Sequence, residues 1–201
     1  MSSHITPPFD YPWDGLESYL SKSGQEELWL LGYGRLMNQV SASLTLRTTD
    51  KDVAKPVVAY GLKRIFNYKM PEVSYERHGD PKSSRHIAAL NVLATGDSKD
   101  EVNGVMVRVA FDDLDALRTR EVGYDLIAVA GYDWQTKEPL EHGIFALSCP
   151  EVYQEILPHV GYLGICRSGA KAISAAFHDF FIQSTCLANG ESLAEWGDLN
   201  D

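Results

Sequence analysis

The stretch LWLLGYGRLMN, Leu28 to Asn38, decides how the chain is read. Leu28 to Tyr33 is a continuous apolar run broken by glycine, the pattern of a central strand buried on both faces. It stops at Gly32-Tyr33-Gly34. A turn at the end of a buried strand presents successive backbone N–H groups outward, and Gly34 lets the backbone approach a ligand with no Cβ in the way. Such donors can hold a carboxylate or the oxyanion of a tetrahedral intermediate, with Tyr33 as an aromatic wall or hydroxyl donor. The same residues also fit a plain exit from the sheet in which Tyr33 belongs to the core.

Outward from this run, further strands are expected. PVVAYGLKRIFNY, Pro56 to Tyr68, is rich in β-branched and aromatic residues and reads as one strand bent at Gly61. HIAALNVLA (His86 to Ala94), Val102 to Val109, Tyr124 to Tyr132 and His142 to Leu147 complete the set. Pro71 to Arg85 carries turn formers and charges and reads as a mobile loop, with Tyr68, Tyr75, His78 and Arg85 at or near its edges. His86, just before a strand, reads as a structural histidine. Helices are expected from Asp14 to Leu20, with Asp14 as N-cap, and within FDDLDALRTREVGYD, where Phe111, Leu114 and Leu117 recur at helical spacing. In the last third, Ile173, Phe177, Phe180 and Phe181 mark an apolar stripe, opened by Ser168 as N-cap and closed by Asn189-Gly190.

Strands early and helices late predict an α+β domain with a small mixed, curled β-sheet or barrel, flanking helices and a helical C-terminal extension. One domain is expected over residues 1–201, made of an N-terminal extension (1–26), a core (27–148) and the C-terminal extension (149–201). That extension would cover a pocket, make a homodimer contact or complete the core.

The chain has 201 residues, 44% hydrophobic and 23% charged, enough to bury a core without metal or disulfide support. Its 18 Lys and Arg against 28 Asp and Glu give a net charge of −10, with no basic cluster fit to neutralise a phosphate backbone, so no nucleic-acid partner is expected. No apolar run approaches the roughly 18 residues of a spanning helix, so no membrane partner is expected either. The beginning MSSHITPPFDYPW has no basic and apolar leader pattern, and the expected location is cytoplasmic. Cys149, Cys166 and Cys186 are odd in number and far apart, as expected of reduced, mostly buried thiols, with Cys186 packing near the last helix's end.

Several chemistries fail on spacing. A dinucleotide fingerprint starting at Gly32 and Gly34 would need glycine where Met37 stands, and no Gly-Lys-Ser/Thr follows the turn. The histidines at 4, 78, 86, 142, 159 and 178 show no zinc spacing, so no metal site is expected. Nothing nominates a serine nucleophile. What remains is Glu121. If the helix from Asp112 runs that far, Glu121 follows Leu117 by four residues and Leu114 by seven, on the inward stripe. A carboxylate there loses hydration, which would raise its pKa toward the range of a general base. If the helix ends near Thr119, Glu121 is instead a solvated end residue.

The strand ending in Tyr33-Gly34-Arg35-Leu36, the later VNGVMVRV strand and LDALRTREVGYD together resemble the γ-glutamylcyclotransferase superfamily. The similarity runs from about Glu27 to Val129. It implies a small α+β barrel and a cofactor-independent reaction that cyclises a γ-glutamyl group to 5-oxoproline with release of an amine or amino acid. It also implies a small-molecule γ-glutamyl substrate, Glu121 as general acid and base, and Tyr33, Gly34, Arg35, Leu36 and Tyr124 as substrate-binding residues. The nucleophile would be the substrate's own α-amine, which accounts for the missing triad. Arg35 departs from the pattern, since the family usually has serine there. A long cation in the turn would pair with an anionic substrate or fill the pocket. The alternative is a non-catalytic binding module of the same fold that holds an acidic metabolite or a partner's side chain.

Overall fold

The apolar run forms β2 (Glu27–Gly32), and its neighbours make it a central strand. β6 (Glu101–Ala110) pairs antiparallel with one edge and β9 (Ile144–Ser148) parallel with the other. Successive side chains of a strand face opposite sides, and the consecutive Leu30 and Leu31 are both fully buried, so both faces of the sheet are covered. The remaining strands of this sheet are β1 (Asp10–Tyr11), β3 (Lys55–Tyr60), β7 (Asp125–Val129) and β8 (Gly131–Asp133). Among the described residues it has seven strands in the order β1-β7-β9-β2-β6-β3-β8. The structure is a computed structural model that describes residues 10–11, 13, 15–16, 18, 27–44, 46, 54–141 and 143–197.

A second sheet contains β4 (Leu62–Lys69), with β5 (Ala88–Ala94) antiparallel on one side and β10 (Thr185–Leu187) parallel on the other. The strand expected from Pro56 to Tyr68 is therefore two strands in two sheets. The change occurs at Gly61, whose φ of +74° suits glycine and lets the chain leave one sheet for the next. Its N–H donates to the Asp100 carbonyl at 2.8 Å, and its own carbonyl accepts from Thr95 N–H at 2.8 Å.

The sheets curl together where the Asn91 side chain substitutes for a missing backbone pair. Its amide donates to the Cys149 carbonyl at 2.9 Å and accepts from Cys149 N–H at 2.8 Å. The result is the curled, mixed α+β architecture that the element order predicts.

Helices flank this body: α1 (Gln39–Ser43), α2 (Tyr75–His78), α3 (Leu114–Arg120), α4 (Val160–Ile173) and α5 (Ala175–Gln183). The last third differs from expectation in three ways. Ser168 is not an N-cap but lies inside α4, where its hydroxyl donates back to the Ile165 carbonyl at 2.9 Å. The caps are His159 and Ser174; the extended backbone of Ser174 breaks the run, and its hydroxyl accepts from Phe177 N–H at 3.1 Å. Third, Cys186 sits in β10 rather than at a helix end, in a strand too short to leave a pattern.

Other elements are also redrawn. Tyr124 to Tyr132 is two strands with different partners, and Pro71 to Arg85 contains a 3-10 turn (Glu72–Ser74) and α2 instead of loop alone. Asp14 and His142 lie outside the described residues. Cys149 and Cys166 are buried, free thiols. His86 is buried, with its ring against the Ser83 hydroxyl at 2.8 Å. Among the described residues no helix is long and apolar enough to cross a membrane.

One charge stands in the middle of this core. Arg64 on β4 is fully buried, and burial lowers its pKa to about 9. Its guanidinium donates to Thr185 Oγ1 (2.8 Å), the Asn103 carbonyl (2.7 Å), Asn103 Oδ1 (2.8 Å), Ser184 Oγ (2.9 Å) and, at 3.3 Å each, the Tyr33 and Phe181 carbonyls. It also lies 4.2 Å over the Phe181 ring. None of these partners is a carboxylate; neutral oxygens and the aromatic ring replace the lost hydration.

Arg64→Met keeps the packing volume but orphans those buried acceptors. Its expected cost is about 3–5 kcal/mol, read as a lowered urea midpoint with an unchanged m-value.

Candidate functional site

Where β2 ends, the chain turns through Tyr33 and Gly34 into a 3-10 turn (Arg35–Met37), and the Asn38 side chain caps α1 by accepting from Ser41 N–H at 3.0 Å. Tyr33 is buried, and its hydroxyl donates to the Leu147 carbonyl at 2.5 Å. That hydroxyl is therefore occupied, and only the ring faces the site. Gly34 has negative φ, so a left-handed backbone is not what calls for glycine here. Space is: a Cβ there would lie 2.7 Å from the buried Tyr162 hydroxyl, on α4.

The helix ends at Arg120, between the two ends considered from sequence, Thr119 and Glu121. Glu121 is the C-cap of α3, its N–H donating to the Leu117 carbonyl at 2.9 Å, and its backbone (φ −101°, ψ 51°) turns away from the helix. The side chain is nevertheless buried, with 8% of the residue exposed. It is not solvated and not merely set among apolar neighbours. Arg35 Nη2 lies 3.0 Å and Arg120 Nε 3.1 Å from the same oxygen, Oε1. Among the described residues Oε2 takes no hydrogen bond.

Both cations are themselves held. Arg120 donates to the Ser41 carbonyl (2.9 Å) and hydroxyl (3.1 Å) on α1, while Arg35 Nη1 approaches His78 Nε2 at 3.5 Å. Burial disfavours the charge on Arg35, the adjacent Glu121 and nearby phenols favour it, and on balance the Arg35 pKa is raised. For Arg120, burial and the repulsion of Arg35 outweigh Glu121, and its pKa falls to about 10. His78 is pushed down to about 4 by burial and by Arg35, so it is neutral near pH 7.

These groups surround a cavity of about 280 Å³. Tyr124 forms another wall; its hydroxyl donates to the Leu90 carbonyl at 2.6 Å and its ring lies 4.4 Å from that of Tyr68. Burial raises the pKa of Tyr33, Tyr124 and Tyr162 well above the ordinary phenol value, so all three stay neutral. Three guanidiniums, those of Arg35, Arg77 and Arg120, and one carboxylate line the cavity, an excess of positive charge suited to an anionic small molecule. Among the described residues no group of three or more His, Cys, Asp or Glu is placed to hold a metal ion.

Tyr33, Gly34, Arg35, Leu36, Glu121 and Tyr124 all line this one space. Of the residues near the expected loop, Tyr68 and His78 join them; Tyr75 lies against His159, and Arg85 donates to the Glu155 carbonyl. Sequence reasoning missed Arg120 and Tyr162. An arginine in a helix's last turn reads as a partner for the helix dipole, and no local pattern connects Tyr162 with Gly34 across the chain.

No protein-family model matches the chain, and no curated protein sequence matches it. Solved structures do. A γ-glutamyl cyclotransferase matches with a TM-score of 0.58 and 15% identity over 78% of this chain and 86% of its own. An uncharacterised protein from Homo sapiens matches with a TM-score of 0.57 and 16% identity over 78% of this chain and 87% of its own. The chain has the γ-glutamylcyclotransferase-like fold. YkqA from Bacillus subtilis matches with a TM-score of 0.57 and 17% identity over 81% of this chain, which spans about half of YkqA (55%).

Gly34→Ala forces the new methyl against Tyr162; its expected cost is about 1–3 kcal/mol, measured by chemical denaturation. His78 is lowered from 6.5 to about 4, so between those values the unfolded chain binds a proton that the native chain refuses. Its contribution to stability is present above pH 6.5 and lost as pH falls to about 4. His78→Gln should therefore flatten the pH dependence of the unfolding free energy in that window.

Proposed function

We propose that this chain is a γ-glutamylcyclotransferase-like enzyme that converts a γ-glutamyl compound into 5-oxoproline and a free amine or amino acid. The observation that carries this reading is the state of Glu121: a buried carboxylate, anchored by two arginines through Oε1, with Oε2 unoccupied in the cavity beside the Tyr33-Gly34 turn. The fold it shares with a γ-glutamyl cyclotransferase supports the same reading.

The chemistry follows from that arrangement. Glu121 Oε2 takes a proton from the substrate's α-ammonium group, and the freed nitrogen attacks the γ-carbonyl carbon. A C–N bond forms as the carbonyl electrons move onto oxygen. Collapse of this tetrahedral species expels the departing nitrogen, which takes the first proton back from Glu121. The ring nitrogen, still carrying one hydrogen more than the lactam, passes that second proton through Glu121 to the released amine, which leaves as its ammonium form, so that atoms and charge balance and no water is consumed. The backbone at Gly34 faces the developing oxyanion, and the excess positive charge of Arg35 and Arg120 receives the substrate's α-carboxylate. Rigid aromatic walls hold the glutamyl chain folded for ring closure, which turns positioning into rate.

A second reading is favoured by the Arg35–Glu121 ion pair, which already fills part of the cavity. In it the protein binds an anion without turning it over.

Glu121→Gln separates the two. As an enzyme, the folded variant loses about 10²–10⁴-fold in kcat/KM for 5-oxoproline release while its circular dichroism spectrum is retained. As a binder, the native protein releases none, and the variant, with one negative charge fewer between its arginines, holds a γ-glutamyl anion more tightly in calorimetry.

A further inference from the structure

The cavity around Glu121 borders a second hollow on the side of its arginines. Arg35, Arg77, His78, Thr119 and Arg120 form the wall between it and a second, larger groove of about 770 Å³ that opens to the surface. Two properties of this groove lie outside the needs of a γ-glutamyl group. One is an uncovered apolar wall: Val40 on α1 and Leu44 just after it, four residues apart on one helical face, are 74% and 76% exposed. Ile165 and Ala116 continue that wall. The other is charge. Arg77, Arg35 and Arg120 line the groove against Asp115, while Glu121 neutralises one charge from behind, which leaves a net positive cleft on a chain whose net charge is −10. Arg77 is exposed and has no ion-pair partner among the described residues.

We infer that this groove is the subsite for the departing part of the substrate, and that it selects an amino acid with a bulky aliphatic side chain and a free carboxylate. The inference rests on the reading of the inner cavity as the γ-glutamyl site. The inner space suits the glutamyl group, and a departing group that passes the arginine wall meets Val40 and Leu44 with its side chain and Arg77 with its carboxylate. An amine without a carboxylate leaves Arg77 unpaired, and glycine leaves the aliphatic wall wet. An apolar wall beside a cation thus distinguishes γ-glutamyl-leucine from smaller or neutral relatives by two independent contacts.

The test compares 5-oxoproline release from γ-glutamyl-leucine, γ-glutamyl-glycine and γ-glutamyl-leucinamide by the native chain, Leu44→Asp and Arg77→Gln. Both substitutions are at exposed positions, so folding is retained. Calorimetry of γ-glutamyl-leucine binding to the native chain and both variants runs in parallel. The expected result is kcat/KM for the leucine compound about 10-fold or more above the glycine compound. Leu44→Asp should erase that preference, and Arg77→Gln should erase the preference for the free acid over the amide. Release at equal kcat/KM from all three compounds, or a preference that survives both substitutions, overturns the inference and leaves the cyclotransferase reading standing. Binding that depends on Leu44 and Arg77 with no release from any compound supports the subsite and overturns the cyclotransferase reading. Neither release nor binding overturns both.

Discussion

The structure depends on a buried cation that no anion among the described residues neutralises. Arg64, on β4, donates to groups from the Tyr33 turn, from β6, from the end of α5, from Ser184 after it and from β10. Moving such a charge from water is costly, and it persists because charge-assisted hydrogen bonds and the Phe181 ring replace its solvation. Its partners must then stay together. Strand β10 is short and joined to the body through β4, and its first residue, Thr185, accepts from Arg64 Nε. The last third of the chain is thereby joined to the turn that borders the candidate site.

The same economy of polar groups fixes the cavity walls. The hydroxyls of Tyr33, Tyr68 and Tyr124 are each committed to a distant backbone carbonyl, at Leu147, Val122 and Leu90. Their rings are therefore held from both ends, and the space they enclose is preformed rather than assembled on binding. Inside it, Arg35 and Arg120 share one carboxylate oxygen. Arg35 is buried against Glu121 and also lines the neighbouring groove.

The parts of this arrangement that were legible in sequence are those with a local cause. Leu28 to Tyr33 reads as a buried strand because nothing in it can face water, and the helix of α3 reads from Leu114 and Leu117. Glu121 was legible as a carboxylate at the edge of an apolar stripe, although its burial comes from the turn after the helix and not from the stripe. The break at Ser174 was missed because an apolar stripe continues through it, and β10 because a short strand paired to a distant one carries no periodicity of its own.

By itself, the sequence determined the α+β class and the central strand with its glycine exit. Those follow from side-chain spacing within a few residues, which is all that local hydrophobic patterning encodes. Only the tertiary structure decided that Gly61 moves the chain between sheets and that Tyr162 crowds any side chain at position 34. It also decided that Arg35 and Arg120 meet on one oxygen of Glu121. The physical reason is that hydrogen bonds, ion pairs and steric contacts between residues far apart in the chain depend on distances that no local pattern records.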